Sequence, residues 1–221
     1  METYDVHAVV NEILKNQYFT NHGPLARALE AKLSGWFGVR NAVLVGSVEL
    51  ALLVSLIAMR KEGQRRLVCK SQDYSSRLMH MGALCGLEVC AIKEMKMYSE
   101  ESDVFYRAIQ SSGVDQFLGG SNGHTVITEV CSSWWRFSPS VGKFASYPMP
   151  LILPLPTEGG GSVLLFDSDE DAERARNVRS SYGITKPVSV FVTCNGRYSE
   201  AQAGAVLNFL NRCSRSVQTG T

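Results

Sequence analysis

The chain has 221 residues, 45% of them hydrophobic, and can bury a substantial core within one domain. Its 22 basic and 21 acidic residues leave a net charge of +1, which argues against nucleic acid or an anionic membrane as a partner. The six cysteines form no CxxC pair and show no metal-type spacing with histidine, and the N-terminus lacks the apolar run of a signal peptide. We therefore expect a reduced, cytoplasmic protein without a metal site.

Short β-branched runs alternate with amphipathic segments, a pattern typical of parallel strands joined by crossover helices. In chain order the predicted elements are helix 5–16, helix 24–37, strand 41–45, helix 47–60, strand 66–69, helix 76–85, strand 88–92, helix 100–110, strand 124–129, strand 162–166, helix 168–181, strand 188–193 and a last helix opened by a capping box at Ser199 to Gln202. Five of the seven prolines fall between Pro139 and Pro156, so residues 131–156 are expected to be irregular. The sequence predicts an α/β fold with a mostly parallel sheet.

Three stretches of the chain resemble one protein family in order and spacing. They are YFTNHGPLARALEAKLSGWFGVRNAVLVGSVELALLVSLIAM at 18–59, EGGGSVLLFDSDEDAERARNVRSSYG at 158–183 and TCNGRYSEAQAGAVLNFL at 193–210. They resemble the DegT/DnrJ/EryC1/StrS family, which are pyridoxal-phosphate (PLP) aminotransferases and relatives acting mostly on nucleotide-linked keto-sugars in amino-sugar and surface polysaccharide biosynthesis.

The resemblance implies a single domain over residues 1–221, a three-layer sandwich like the large domain of fold-type I PLP-dependent transferases. The match is weak over 99–156, and 99–124 is shorter than the family norm, so a strand–helix unit is expected to be missing and the sheet order there is open. Family members continue into a C-terminal small domain, which we expect to be absent because this chain stops after one helix, at Thr221.

The resemblance also implies where the catalytic lysine should stand. In the family the Schiff-base lysine lies a few residues ahead of a Glu-Gly-Gly element, which here is Glu158 to Gly160, and counting back leads to about Ile152. No lysine occurs between Phe144 and Thr185, and Lys143 is a remote substitute because it follows a Val-Gly pair that belongs to an earlier turn. Some relatives use histidine here for a dehydration, which isoleucine cannot replace. Transamination is therefore expected to be lost, with no catalytic residue at this position.

Two further positions of the cofactor site are altered relative to the family. Glu129 stands where the family has the aspartate that holds the pyridine nitrogen, and the alternative is a strand-end carboxylate that faces water. Ser47 begins a Ser-Val-Glu step in place of the family's phosphate-binding Ser-Gly-Thr, and Glu49 brings a negative charge to the helix N-terminus that would receive the phosphate. We therefore expect no bound PLP.

Two other positions keep the family pattern. Tyr74 matches the aromatic residue that stacks on the cofactor ring, the alternative being a core aromatic. Asn195 and Arg197 match an Asn-x-Arg element whose asparagine reaches the phosphate of the neighbouring subunit in a dimer, the alternative being a turn before the last helix.

Three hypotheses about function follow. The first is a degenerate family member, inactive in transamination, that forms a homodimer or a heterodimer with an intact homologue and donates Asn195 and Arg197 to it. The second is an enzyme that binds PLP or a nucleotide sugar in a remnant pocket of Ser47, Tyr74, Glu129 and Asn195. The third is a fragment without a selected function.

Overall fold

A computed structural model describes residues 5–93, 103–109, 124–131, 134, 149–156, 160–181 and 184–219, with side chains as far as residue 213. The helices of these residues are α1 (Val6–Asn16), α2 (Pro24–Phe37), α3 (Val48–Met59), α4 (Ser76–Leu84), α5 (Asp169–Arg179) and α6 (Glu200–Thr219). The strands are β1 (Asn41–Val45), β2 (Arg66–Lys70), β3 (Glu88–Ile92), β4 (Asp103–Ile109), β5 (Thr125–Val130), β6 (Leu151–Pro154) and β7 (Ser162–Phe166). Among these helices, none is long and apolar enough to cross a membrane.

The strands form one sheet in the order β1-β7-β6-β5-β4-β2-β3. Strand β7 is antiparallel to both of its neighbours, β1 and β6, and every other pair is parallel. Because β1 and β6 both oppose β7, all strands except β7 run in one direction. Their carboxyl ends therefore lie along one edge of the sheet, the edge at which α/β proteins build their sites.

Helices cover both faces of the sheet and make three layers. Side chains that alternate along a strand enter two separate cores, as Val43 and Leu44 do in β1. The first core lies under α3, α4 and α5, and the second lies under α2 and α6, with α1 packed on α6. The predicted α/β three-layer sandwich is confirmed.

Four predicted elements have the bounds that the sequence indicates, namely α2, β1, β3 and β7. In α2, Pro24 occupies the first turn and Gly38 ends the helix with a φ of 67°, the left-handed conformation that glycine adopts readily. The capping box is also confirmed, because Gln202 N donates to Ser199 Oγ at 3.2 Å and Ser199 N donates to Gln202 Oε1 at 3.3 Å. These local signals therefore locate helix ends correctly.

The predicted helix at 100–110 is wrong, because residues 103–109 form strand β4 in the centre of the sheet. The charged start of this segment suggested a solvated helix, yet Asp103 is fully buried. Arg66 of the neighbouring strand β2 neutralises it through Nε at 2.8 Å and Nη2 at 3.0 Å. A strand therefore stands where a helix was predicted, while residues 110–123 lie outside the described part.

Two other predictions about strands are corrected. Residues 131–156 were expected to be irregular, but 151–154 form β6, whose only proline stands at its last residue, where a proline interrupts few ladder bonds. The predicted strand at 188–193 does not form. Its residues are mostly exposed and pair with no described strand, so the β-branched pattern alone did not decide the structure.

Candidate functional site

The position assigned to the missing lysine lies inside the sheet. Ile152 belongs to β6 and its side chain is completely buried. Its Cα pairs with that of Glu129 in the parallel strand β5, and paired residues of a ladder direct their side chains to the same face. Ile152 therefore lies beside Glu129 under the α3–α4–α5 layer and offers neither an amine nor a proton acceptor. Lys143, the remote substitute, lies outside the described residues.

Glu129 is part of a buried ion pair. Its residue is 5% exposed, and Nη2 of Arg77 lies 2.8 Å from Oε1 and 2.7 Å from Oε2. The hydroxyl of Tyr106 donates to Oε2 at 2.9 Å. Arg77 comes from the first turn of α4 and Tyr106 from β4, so two elements converge on the end of β5. A carboxylate held in this way does not face water, which was the alternative reading of Glu129.

The opposite charges of Arg77 and Glu129 stabilise each other. Burial disfavours the charge on Arg77, but the hydrogen bond and the charge of Glu129 raise the pKa of Arg77 above its ordinary value. Burial, followed by the charge of Glu129, raises the pKa of Tyr106, so its hydroxyl remains a donor. We define the Arg77 cluster as Arg77, Tyr106 and Glu129.

Cys131 stands at the rim of the Arg77 cluster. Its Sγ lies 3.8 Å from Oε1 of Glu129, and burial together with the charge of Glu129 raises the pKa of the thiol to about 11. Because the thiolate is the reactive form of cysteine, this residue is not poised as a nucleophile at neutral pH.

At the predicted phosphate-binding end of the site, Ser47 stands directly before a helix, as expected. Ser47 caps α3, and its Oγ accepts the N–H of Leu50 at 3.1 Å. Glu49 is exposed in the first turn of the same helix. Its charge also contributes to the raised pKa of Arg77, so this carboxylate acts on the Arg77 cluster from α3.

Tyr74 lies at the carboxyl end of β2, directly before the cap of α4. It is 42% exposed, so it is not the core aromatic that was the alternative. The preceding residue, Asp73, accepts the N–H of Ala108 through Oδ2 at 3.3 Å and holds this loop against β4. The ring of Tyr74 is thus accessible at the edge of the sheet that carries Ser47 and Glu129.

Asn195 and Arg197 lie in the loop before α6, and both are exposed. Between them, Gly196 is buried: its carbonyl accepts from Gly46 N at 3.0 Å and its N–H donates to Arg179 O at 2.9 Å. A side chain at Gly196 would approach Val45 Cγ1 to 3.2 Å, so the glycine allows this loop to lie against the end of β1. The structure therefore brings the Asn-x-Arg element to the strand end that precedes Ser47.

Comparison with known proteins shows what this chain is similar to. Residues 2–85 match the DegT/DnrJ/EryC1/StrS aminotransferase family. The matched stretch is 84 of the 221 residues and includes Ser47 and Tyr74, but not Glu129, Ile152 or Asn195. None of the curated proteins compared with it matches significantly.

Solved structures share the fold of this chain over nearly its whole length. A putative PLP-dependent aminotransferase from Bacillus cereus superposes with a TM-score of 0.72 and 14% identity, covering 96% of this chain and 65% of that one. The Helicobacter pylori aminotransferase PseC, involved in the biosynthesis of pseudoaminic acid, gives 0.72 and 16%, covering 97% and 64%. The E. coli GDP-4-keto-6-deoxy-D-mannose-3-dehydratase gives 0.73 and 14%, covering 99% and 68%. The chain thus spans roughly two thirds of the length of these proteins, and its fold is the large domain of fold-type I PLP enzymes.

The residues present do not fit the cofactor that the family implies. Ile152 supplies no amine, and the charge of Glu129 is already balanced by Arg77. A protonated pyridine ring at Glu129 would therefore meet a second cation, and two like charges about 4 Å apart repel by about 4 kcal/mol at an effective dielectric constant of about 20. Glu49 adds a negative charge where a phosphate would be received. The helix start at Ser47, the exposed ring of Tyr74 and the Asn-x-Arg element at Asn195 and Arg197 keep the expected form.

Sequence reasoning missed Arg77 and Tyr106, the two partners of Glu129. Their contacts join residues 52 and 23 positions apart, which local patterns do not reveal. One local signal existed, because a cation in the first turn of a helix opposes the helix dipole. Such a local conflict is often found where a residue has a partner elsewhere in the fold.

Proposed function

We propose that this protein is a member of the DegT/DnrJ/EryC1/StrS family that does not transaminate and that acts by associating with a second copy of itself. The observation that carries the first half is the buried Ile152 beside Glu129. Amino transfer in this family needs a group that bonds covalently to the cofactor and moves a proton, and an alkyl side chain does neither.

The apolar loop before Asn195 supports the second half. Phe191 has an exposed fraction of 101%, and Val188 and Val192 are 39% and 45% exposed. A cluster of exposed apolar side chains often marks an interaction surface. The loop leads directly into Asn195 and Arg197, the element that in the family reaches into a neighbouring subunit. A second copy of this chain is therefore the partner that we propose for the loop.

Transamination is tested with glutamate as the amino donor, PLP, and a panel of nucleotide-linked keto-sugars. We expect no keto-sugar-dependent formation of 2-oxoglutarate above the rate without protein. Borohydride reduction in the presence of PLP followed by peptide mapping provides a second readout. A reduced adduct at a lysine near the site, in particular Lys143, would contradict the proposal.

Self-association is tested by size-exclusion chromatography with light scattering. The wild type should have the mass of a dimer, whereas Phe191→Ser should shift towards the monomer. Leu84→Ser is the matched control, because Leu84 is a 71% exposed apolar residue at the end of α4, away from the loop. A folded wild type that remains a monomer, or one that pairs only with an intact homologue, would contradict self-association.

A further inference from the structure

We propose that Arg77 takes the place of a cofactor cation: its guanidinium occupies the anionic site at Glu129 permanently, so the pocket rejects pyridoxal-type rings irrespective of the lysine. This inference rests on family membership and on the geometry of the Arg77 cluster, and it is independent of the proposed self-association.

The position of Glu129 makes it the anionic centre of the pocket. It stands at the carboxyl end of β5, where the family has the acid that holds the ring nitrogen, and only 5% of it is exposed. A buried carboxylate requires a positive partner. Family relatives with PLP bring that charge as a ligand, whereas this chain brings it from its own α4.

Arg77 satisfies this requirement closely. Its Nη2 lies within 2.8 Å of both oxygens of Glu129 and donates at 3.2 Å to the hydroxyl of Tyr106, which itself donates to Glu129. Guanidinium–carboxylate bonds of this length are charge-assisted and strong. The Arg77 side chain is 29% exposed, so it reaches the carboxylate from the open edge of the sheet, the side from which a ligand would approach.

The location of Arg77 also argues for a specific role. It lies in the first turn of α4, where the helix dipole disfavours a cation, and its charge is stabilised by Glu129 rather than by its own helix. The same chain contains a comparable pair, Arg66 with Asp103, at the amino ends of β2 and β4. That pair lies at the opposite edge of the sheet and offers a control for a purely structural role.

Pyridoxamine phosphate is the probe of choice, because it binds such sites without a lysine. We would follow its binding by equilibrium dialysis and absorbance for the wild type, Arg77→Met, Arg66→Met and the double variant Arg77→Met with Glu129→Gln. The wild type and Arg66→Met should show no saturation at the highest concentration of pyridoxamine phosphate, whereas Arg77→Met should saturate with a Kd at least about tenfold below that concentration. The double variant should lose this gain, because it lacks the anion that would attract the ring.

Several outcomes would overturn the proposal. Saturable binding to the wild type would do so, as would an Arg77→Met variant that is folded by circular dichroism yet binds no better than the wild type. A gain of binding in Arg66→Met would show a general loosening of the fold instead. None of these three results depends on Ile152, so loss of transamination can hold while this proposal fails.

A second measurement covers the case in which Arg77→Met does not fold. Arg77→Ala would be refolded with methylguanidinium or, as the control, with an equal concentration of sodium chloride. Recovery of the folded circular dichroism spectrum with methylguanidinium alone would support a cation site at Glu129. Equal recovery with both salts, or with neither, would overturn the proposal.

Discussion

At the scale of single residues, Gly161 shows how closely the turn between β6 and β7 is packed. Its φ is 118°, in a region open essentially to glycine alone, and a Cβ there would lie 2.3 Å from Cε2 of the buried Tyr198. Gly161→Ala should therefore lower the free energy of unfolding by about 3 to 5 kcal/mol through backbone strain and overpacking. Urea unfolding followed by circular dichroism measures this change.

Gly35 provides the matched glycine control for this measurement. It is exposed in α2, and a Cβ added there meets nothing within 4 Å. Gly35→Ala should raise the free energy of unfolding by up to about 1 kcal/mol, because alanine favours a helix over glycine. Equal effects of the two substitutions would show that the turn at Gly161 is not constrained as described.

Protonation of His22 makes the free energy of unfolding depend on pH. His22 is 8% exposed, and burial together with the charges of Arg179 and Arg197 lowers its pKa from 6.5 to about 4. Between pH 4 and pH 6.5 the unfolded chain binds a proton at His22 that the folded chain does not bind. The contribution of the neutral, buried His22 to the free energy of unfolding is therefore fully present above pH 6.5 and is lost as the pH falls towards 4. At about pH 5 the free energy of unfolding should be lower by about 2 kcal/mol from this residue alone.

Two substitutions isolate that effect. His22 has a φ of 59°, which asparagine tolerates, so His22→Asn removes the titrating ring with little backbone strain. The slope of stability against pH between about 5 and 7 should become flatter in this variant, because its protonation change is gone. His80→Asn, at an exposed position of α4, should keep the wild-type slope. An unchanged slope in His22→Asn would rule out this assignment.

At the scale of elements, α6 caps a different helix as well as its own start. Glu200 is 1% exposed, and its carboxylate accepts the N–H groups of Leu25 at 2.8 Å and Ala26 at 2.9 Å. The residue before α2, Gly23, has no side chain to cap that helix. A negative charge from the last helix thus stabilises the N-terminus of α2.

The cap that Glu200 provides for α2 predicts that its charge and its hydrogen bonds contribute separately to the free energy of unfolding. Glu200→Gln should lower the free energy of unfolding by about 1 to 2 kcal/mol because it removes the charge at the helix dipole, and Glu200→Ala should lower it by more because two buried donors lose their acceptor. Chemical denaturation measures both. The exposed Glu62→Gln should change stability by less than about 0.5 kcal/mol. A Glu200→Ala variant as stable as the wild type would contradict the capping role.

Most elements could be predicted because their signals are local, whereas the errors arose where a distant partner decides the outcome. Asp103 is polar in sequence but buried in the sheet, since Arg66 of the adjacent strand neutralises it. The segment 188–193 has the residues of a strand but pairs with no described strand. For the site, Ile152 and Glu129 could be located by family resemblance, but the pairing of Glu129 with Arg77 depends on how α4 is placed over the sheet.

At the scale of the whole molecule, the fold matches that of the solved structures, whereas the residues of the candidate site do not fit PLP. The seven-stranded sheet and both cores are formed by the described residues, and the misfit with PLP lies at Ile152, Glu129 and Arg77. Because core packing maintains a fold independently of a catalytic group, the buried apolar Ile152 is compatible with a stable sheet. The association that we propose therefore does not require transamination.

The proposed association makes one prediction about the stability of the whole molecule. If the folded chain pairs through the loop that carries Phe191, dimerisation stabilises only the folded state, and the thermal midpoint must rise with protein concentration. We expect a measurable rise for the wild type over a concentration range of about a hundredfold by scanning calorimetry, with a flat response for Phe191→Ser. Leu84→Ser should keep the wild-type dependence, because its side chain lies outside the loop. A midpoint that is independent of concentration in the wild type would mean that the folded chain acts alone, whatever its exposed apolar surface.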